Sequence, residues 1–337
     1  FLLHMVIAIA GHEIESFESI FFNEIQLTTS STTSSGAGSN NKIFTVTNSN
    51  FTNTDNAENF GSGRLARFTL GDGSQTSHDS LARTTHGSTV IDNNFKLTGC
   101  AYMYVEMIYD AEKLPQLPKV TAIIRGKKLY DPRLDTTVGG SGSHRLGTES
   151  TYAWSDNPAL CVLDYLSNTT YGIKGTSTEL NLSANAGGFM SAANTCEQTV
   201  TISGISQERY TANGFTTMAA NGTGIIEGLL SSCGGKLTYT NGMFNIFVAA
   251  AQTPSLTITD DDILSSVSVT KNTQSNELFN SVKAVYVDKD NNYVGTDTPE
   301  LVNSTFVSED VPSGEVNANY LKRMELQLPY TQTTLMA

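Results

Sequence analysis

Few residues in this chain are suited to chemistry, and their spacing works against most reactions they could run. Asp288-Lys289-Asp290-Asn291-Asn292 opens like a calcium loop, in which alternate side-chain oxygens converge on one hard cation. Such a loop needs glycine next, for a sharp turn, and a bidentate glutamate at its twelfth position. Tyr293 and Pro299 stand there instead. The segment reads as a tight polar turn between two strands. Asp260-Asp261-Asp262, ahead of Ile263-Leu264, reads as a helix cap or an acidic first turn.

The five histidines (His4, His12, His78, His86 and His144) include no His-x-x-x-His or His-Glu-x-x-His pair, and His12-Glu13 lacks the downstream histidine of a zinc protease. No Gly-x-Ser-x-Gly elbow is present, and no cysteine stands in a thiol-protease context. Gly61-Ser62-Gly63 and Gly71-Asp72-Gly73 do not form the glycine loop that cradles phosphate after a strand. Cell-wall glycosidases need one raised and one ionised carboxylate, and no acidic pair here can be assigned to a cleft from sequence. The four cysteines, Cys100, Cys161, Cys196 and Cys233, fit no zinc spacing. The last three fall on apolar faces of predicted helices and read as ordinary buried thiols. No catalytic residue, cofactor or metal is expected, and the chain reads as a protein other than an enzyme.

The elements that would position these residues are mostly strands. Residues 1–27 read as two strands joined at Gly11-His12-Glu13, and the apolar run Phe1–Ala10 reads as a buried strand rather than a signal peptide. From 28 to 94 the composition is loop-like, with a Ser/Thr run at 28–35 and one short β-type segment, Lys42–Thr47. That region is expected to leave the compact body as an arm or surface loop. Cys100–Tyr109 and Val120–Arg125 read as strands, and Gly139–Gly147 as a flexible Gly/Ser loop.

Helices follow. Ser155-Asp156-Asn157-Pro158 places a capping side chain before a proline, and an apolar stripe runs from Ala159 to Leu166. Two more helices are predicted at about 186–197 and 217–233, the latter stopped by Gly234-Gly235. Lys236–Thr240 and Met243–Ala250 form a hairpin across Asn241-Gly242. Val282–Val287 and Leu321–Leu328 alternate as strands. The fold class is α+β, predominantly β.

At 337 residues the chain exceeds the roughly 250–300 at which one core stops growing, so two or more units are expected. Charged residues make up 16%, against about 25% in a typical soluble domain. Ser, Thr, Asn and Gly take their place, which suits turn-rich β proteins with large protein contacts. The net charge of −13 argues against a protein that grips nucleic acid through phosphates. No stretch approaches the roughly 20 apolar residues that span a bilayer. Both ends read as cut, which makes the chain part of a longer polypeptide.

An ordered set of short motifs runs through almost the whole chain. It begins with Gly11-His12-Glu13-Ile14, Ile20-Phe21-Phe22 and Leu97–Tyr102. Val120–Arg133 follows, ending in Asp131-Pro132-Arg133. Then come Trp154-Ser155-Asp156-Asn157-Pro158, Asp164-Tyr165-Leu166, Tyr171-Gly172, Arg209-Tyr210 and Asn213-Gly214. Phe279-Asn280-Ser281-Val282, Tyr286-Val287-Asp288 and Leu326–Pro329 complete it. This set resembles the tail tip attachment (host specificity protein J) family of long-tailed bacteriophages. The Ser/Thr-rich segment 28–60 departs from the family pattern in its length.

The resemblance implies a structural hub at the virion's tail tip, assembled in the host bacterial cytoplasm. It implies a homotrimer that closes the tail tube and touches the distal tail ring, the tape measure protein and fibre or tip proteins. Genomic DNA would pass through its channel during ejection without specific binding, and no stable membrane insertion is expected of this segment. Tail-tube-like β-barrel or sandwich domains are implied at 1–130 and from 265 to 337, the second truncated. A mixed α+β hub domain lies between them at 131–264. Asp131, Pro132, Arg133, Trp154, Asn157, Pro158 and Asn280 are implied as structural positions. A cell-wall hydrolase and a receptor-binding adhesin are the alternative readings.

Overall fold

The computed structural model of the chain describes residues 2–33, 42–75, 97–251, 256–266, 268, 278–311 and 320–337. It is mixed and strand-rich, and it divides into two compact units, Phe1–Lys128 and Leu129–Ala337. No described helix is long and apolar enough to cross a membrane.

The first unit contains strands β1 (Leu2–Ala10), β2 (Ser16–Phe22), β3 (Ile25–Gln26), β4 (Thr29–Thr33), β5 (Lys42–Val46), β6 (Ala66–Gly71), β7 (Ala101–Ile108) and β8 (Val120–Arg125). Five form an antiparallel sheet in the order β1-β7-β6-β5-β4, and three form a second, β3-β2-β8. Although β1 and β2 are consecutive, they join different sheets: β1 pairs with β7 and β2 with β8.

Register assigns each side chain to a face. Met5, Ile7, Phe44, Phe68, Met103, Val105 and Met107 share one face of the larger sheet, and they pack with Ile20, Phe22, Val120 and Ala122 of the smaller one. The unit is thus two sheets closed over an apolar core. Among the described residues no sheet closes into a barrel, because β1 and β4 lie at opposite edges without meeting. That corrects the barrel form of the expectation.

The reading of 28–94 as a loop-like arm is also corrected, for the part described. Three of the five strands of the large sheet, β4, β5 and β6, come from it. Val46, Phe51, Leu65, Ala66 and Phe68 from the same region are core residues. Thr is β-branched and fits a pleated strand, so a Ser/Thr run can form an edge strand that composition alone scores as loop. His78 and His86 lie outside the described residues.

The second unit holds helices α1 (Pro158–Ser167), α2 (Phe189–Cys196) and α3 (Gly222–Ser231) around one core. Hairpins β9–β10 (Thr199–Ile202, Ile205–Glu208) and β11–β12 (Lys236–Thr240, Met243–Phe247) accompany them. The Asn241-Gly242 turn has φ of 54° and 78°, the left-handed pair that matches strand twist. A further sheet centres on β13 (Ser281–Asp288). It pairs antiparallel with β14 (Val294–Asp297) and β15 (Leu301–Val302), and parallel with β16 (Arg323–Leu328). Helix α4 (Ser304–Asp310) lies between β15 and β16 in sequence. The chain after β16 returns to the helical core, where Tyr330 packs and its carbonyl accepts from the Asn213 N–H at 2.9 Å.

Candidate functional site

Six of the seven structural positions implied by the motifs fall within residues 131–158, and four of these six join one cluster. Asp131 starts a 3₁₀ turn through Pro132: its side chain accepts from the Arg133 N–H at 2.9 Å, and the proline supplies a fixed φ. The turn aims the Arg133 guanidinium at two carboxylates. It donates to Asp131 at 2.6–3.0 Å and to both oxygens of Glu197 at 2.6 and 2.7 Å, with a longer bond to Asn194 at 3.3 Å.

Asn157 ties this cluster to two helices. Its Oδ1 accepts from the Ala159 N–H at 3.0 Å, capping α1, while Pro158 takes the first helical position, where no amide hydrogen is needed. Its Nδ2 donates to the Ala193 carbonyl at 2.9 Å and to Glu197 at 3.0 Å, closing the end of α2. One buried amide thus serves the start of one helix, the end of another and an ion pair.

The electrostatics follow from this geometry. Burial opposes the charge on Arg133, but the hydrogen bonds with Glu197 and Asp131 outweigh it and raise the arginine further above its ordinary value. Burial likewise pushes Glu197 up, and the bonds from Arg133 and Asn157 more than reverse that, holding it below the usual glutamate range. One cation faces two carboxylates that neutralise it, so the guanidinium is spent internally and cannot serve as an anion receptor.

A second ring of contacts supports the first. Asp135, almost wholly buried, accepts from Tyr130 Oη at 2.8 Å, Thr137 N at 2.8 Å, Thr137 Oγ1 at 2.7 Å and Arg145 Nη1 at 2.9 Å. Burial raises its carboxyl, and these donors together bring it below the usual aspartate range. The Nδ1 of buried His144 accepts from the Asp131 N–H at 3.1 Å, and its ring lies beside Tyr130 and Tyr152.

The segment expected to be a flexible Gly/Ser loop is therefore folded back on the turn. Gly140 N–H donates to Asp135 O at 2.9 Å, Ser141 N–H to Arg133 O at 2.7 Å and His144 N–H to Leu134 O at 3.0 Å. Gly140 is required there, since a Cβ would overlap the Pro132 and Arg133 carbonyls.

The remaining positions lie elsewhere. Trp154 is half-buried in a short extended pair with Ala153. Asn280 is fully buried in a different cluster, where all three of its bonds serve the sheet around β13. It donates to Asp310 and to the Tyr320 carbonyl at 2.8 Å each, and accepts from the Lys322 N–H at 2.8 Å. Lys322 closes the group by pairing with Asp310 at 2.7 Å.

The first unit carries a node that no motif marked. Glu106 on β7 receives both Arg67 bonds from β6, at 2.6 and 2.9 Å, and lies 3.6 Å from His4 on β1. The His4 ring also bonds Tyr104 Oη at 2.8 Å, and Phe60 lies against the guanidinium at 4.3 Å. These residues share the second face of the large sheet, where Gly71 leaves room for the Tyr102 ring.

Sequence reasoning missed Glu197, Asp135 and the Arg67–Glu106 pair. Glu197 left one usable signal: a carboxylate next to a helix C-terminus opposes the helix dipole, so it implies a cation nearby.

Asp288 turns its carboxylate inward onto the Asp290 N–H at 3.0 Å, and Asn292 takes a left-handed φ of 53°. This makes the Asp288–Asn292 segment the turn between β13 and β14. Among the described residues no group of three or more His, Cys, Asp or Glu is placed to hold a metal. All four cysteines are free thiols. The polar groups of the Arg133 cluster are matched donor to acceptor, an arrangement that clamps backbone segments. The chain matches no protein-family model and no curated protein, and the reading of these clusters rests on their own geometry.

Proposed function

We propose that the chain is a structural assembly subunit, the central hub of a bacteriophage tail tip. Three copies would form a ring that closes the tail tube, anchors fibres and other tip proteins, and lines the DNA exit channel. The resemblance of its ordered motifs supplies the family. The observation that supports it most in the structure is the edge of the large sheet. β1 is a nine-residue edge strand without a single Lys, Arg, Asp or Glu, and it leaves Leu2, Leu3 and Val6 exposed. Soluble proteins protect such edges with charge, proline or a covering segment, because a bare one recruits another strand. An edge of this kind suits permanent burial against a neighbouring chain.

The charge fits the same reading. With 33 acidic against 20 basic residues, carboxylates lining a channel would repel passing DNA and keep it from stalling. The tail-tube-like identity of the two-layer sheet unit belongs to this proposal as well.

Two measurements test it. Native mass spectrometry of the purified chain should show a trimer that Val6→Lys converts to monomer, and gold-labelled antibody should mark one end of the particle's tail. A stable monomer at all concentrations, or label along the capsid, would overturn the proposal. So would clearing of peptidoglycan by this chain in a zymogram.

A further inference from the structure

Three of the four cysteines converge in one core. Cys161 lies on α1, Cys196 ends α2, and Cys233 follows the last residue of α3 closely. Cys196 and Cys233 have no exposed surface and share the helical core, against which Cys161 packs. The Cys196 S–H donates to the Cys233 sulfur, and the Cys233 S–H points to the Leu230 carbonyl at 3.4 Å. Two free thiols from separate helices are thus in direct contact, with nothing between them.

We propose that Cys196 and Cys233 are a latent disulfide, which a mild two-electron oxidant (a diazene or a small-molecule disulfide) closes to tie the end of α2 to the turn after α3. Cys233 is the attacking sulfur. The hydrogen bond from Cys196 lowers its thiol below the ordinary range; burial opposes this, and the Gly235 N–H adds to the lowering. With a diazene, the Cys233 thiolate adds to one nitrogen of the N=N bond. Cys196 then loses its proton and displaces that nitrogen from sulfur. Two thiols become one disulfide, and the reagent leaves as the hydrazine, carrying two electrons and two protons.

Access comes from local opening at Gly234-Gly235, where Gly234 has a φ of +54° and the backbone is freest to rearrange. Cys161 stays reduced: burial pushes its thiol up, and its interaction with Cys233 is electrostatic only. The link would enclose residues 197–232 and restrict the unfolded chain.

The test treats the full chain with diazenedicarboxamide under native conditions, just below its melting temperature, then alkylates remaining thiols and maps peptides by mass. The expected result is loss of two hydrogen masses, one cross-linked peptide pair joining Cys196 to Cys233, and a melting temperature raised by several degrees until dithiothreitol reverses it. Cys161→Ser should behave like the parent, and Cys196→Ser should lose the mass change. Peptide mapping of the parent decides alone if a variant fails to fold. A link through Cys161 or Cys100, or four alkylatable thiols after prolonged treatment, overturns the proposal.

Discussion

Two arginines, one in each unit, are clamped by carboxylates, and different kinds of backbone hold them. Arg67 and Glu106 are direct partners on adjacent strands, so the ladder of β6 and β7 sets their distance before the side chains meet. Arg133 has no such ladder. Its position comes from a three-residue turn, the end of α2 and the start of α1, and those pieces are themselves joined by the bonds they make to it. The charge balance differs too: Arg67 faces one carboxylate with a histidine in reserve, whereas Arg133 faces two carboxylates alone. In the sheet the ion pair follows from the fold; at Arg133 it takes part in making it.

Removing the cation should expose this difference. Arg133→Met strands Asp131 and Glu197 beside each other without a counter-charge, and should cost about 3–5 kcal/mol of unfolding free energy. Urea denaturation followed by circular dichroism would read it. Arg67→Met leaves only Glu106 behind, with His4 at 3.6 Å able to respond, and the strand ladder stays intact. Its cost should be about 2–3 kcal/mol. Equal losses in the two variants would mean that the origin of the backbone frame does not matter.

Asn157 sharpens the comparison, because no residue in the sheet node does its three jobs. Asn157→Ala removes the α1 cap and leaves the Ala193 carbonyl without its side-chain donor, and should cost about 2 kcal/mol. Asn157→Asp keeps the cap but sets a third carboxylate against Glu197. If capping is the main role, the aspartate variant recovers most of the loss in a thermal melt; if bridging to Glu197 is, it recovers little. The cluster predicts the second outcome.

What could be read in the sequence follows the distance over which each feature is encoded. Asn157-Pro158 announces a helix start within two residues, and Asn241-Gly242 announces a hairpin, because both depend on local backbone preference. Asp131-Pro132-Arg133 was visible as a motif, and its turn is equally local. The partner that completes it, Glu197, is 64 residues from Arg133, and no period or spacing points to it. The same limit explains β4, β5 and β6. Thr and Ser form a strand when a neighbour supplies the ladder, and the ladder from β6 to β7 spans a long interval of chain. The parallel pairing of β13 with β16 is non-local in the same way.

Acid offers the smallest and most selective probe of the comparison, because carboxylates at the Arg133 site are shifted in a known direction. In the folded chain Glu197 and Asp135 lie below their ordinary values of 4.5 and 3.8, for the reasons of burial and bonding given above. As pH falls, the unfolded chain therefore takes up protons first. The stabilisation is complete above the ordinary values and is lost as pH drops through the lower, folded ones. Trp154 is the only tryptophan in the chain and lies three residues before Asn157, so its fluorescence reports on this unit. Glu197→Gln should flatten the fall in stability between about pH 5 and 3 by about 1 kcal/mol, a figure already reduced for the solvent reaching Glu197. An unchanged slope in that variant would show that the clamp around Arg133 does not carry the acid sensitivity of its unit, and that its carboxylates are held by packing rather than by the guanidinium.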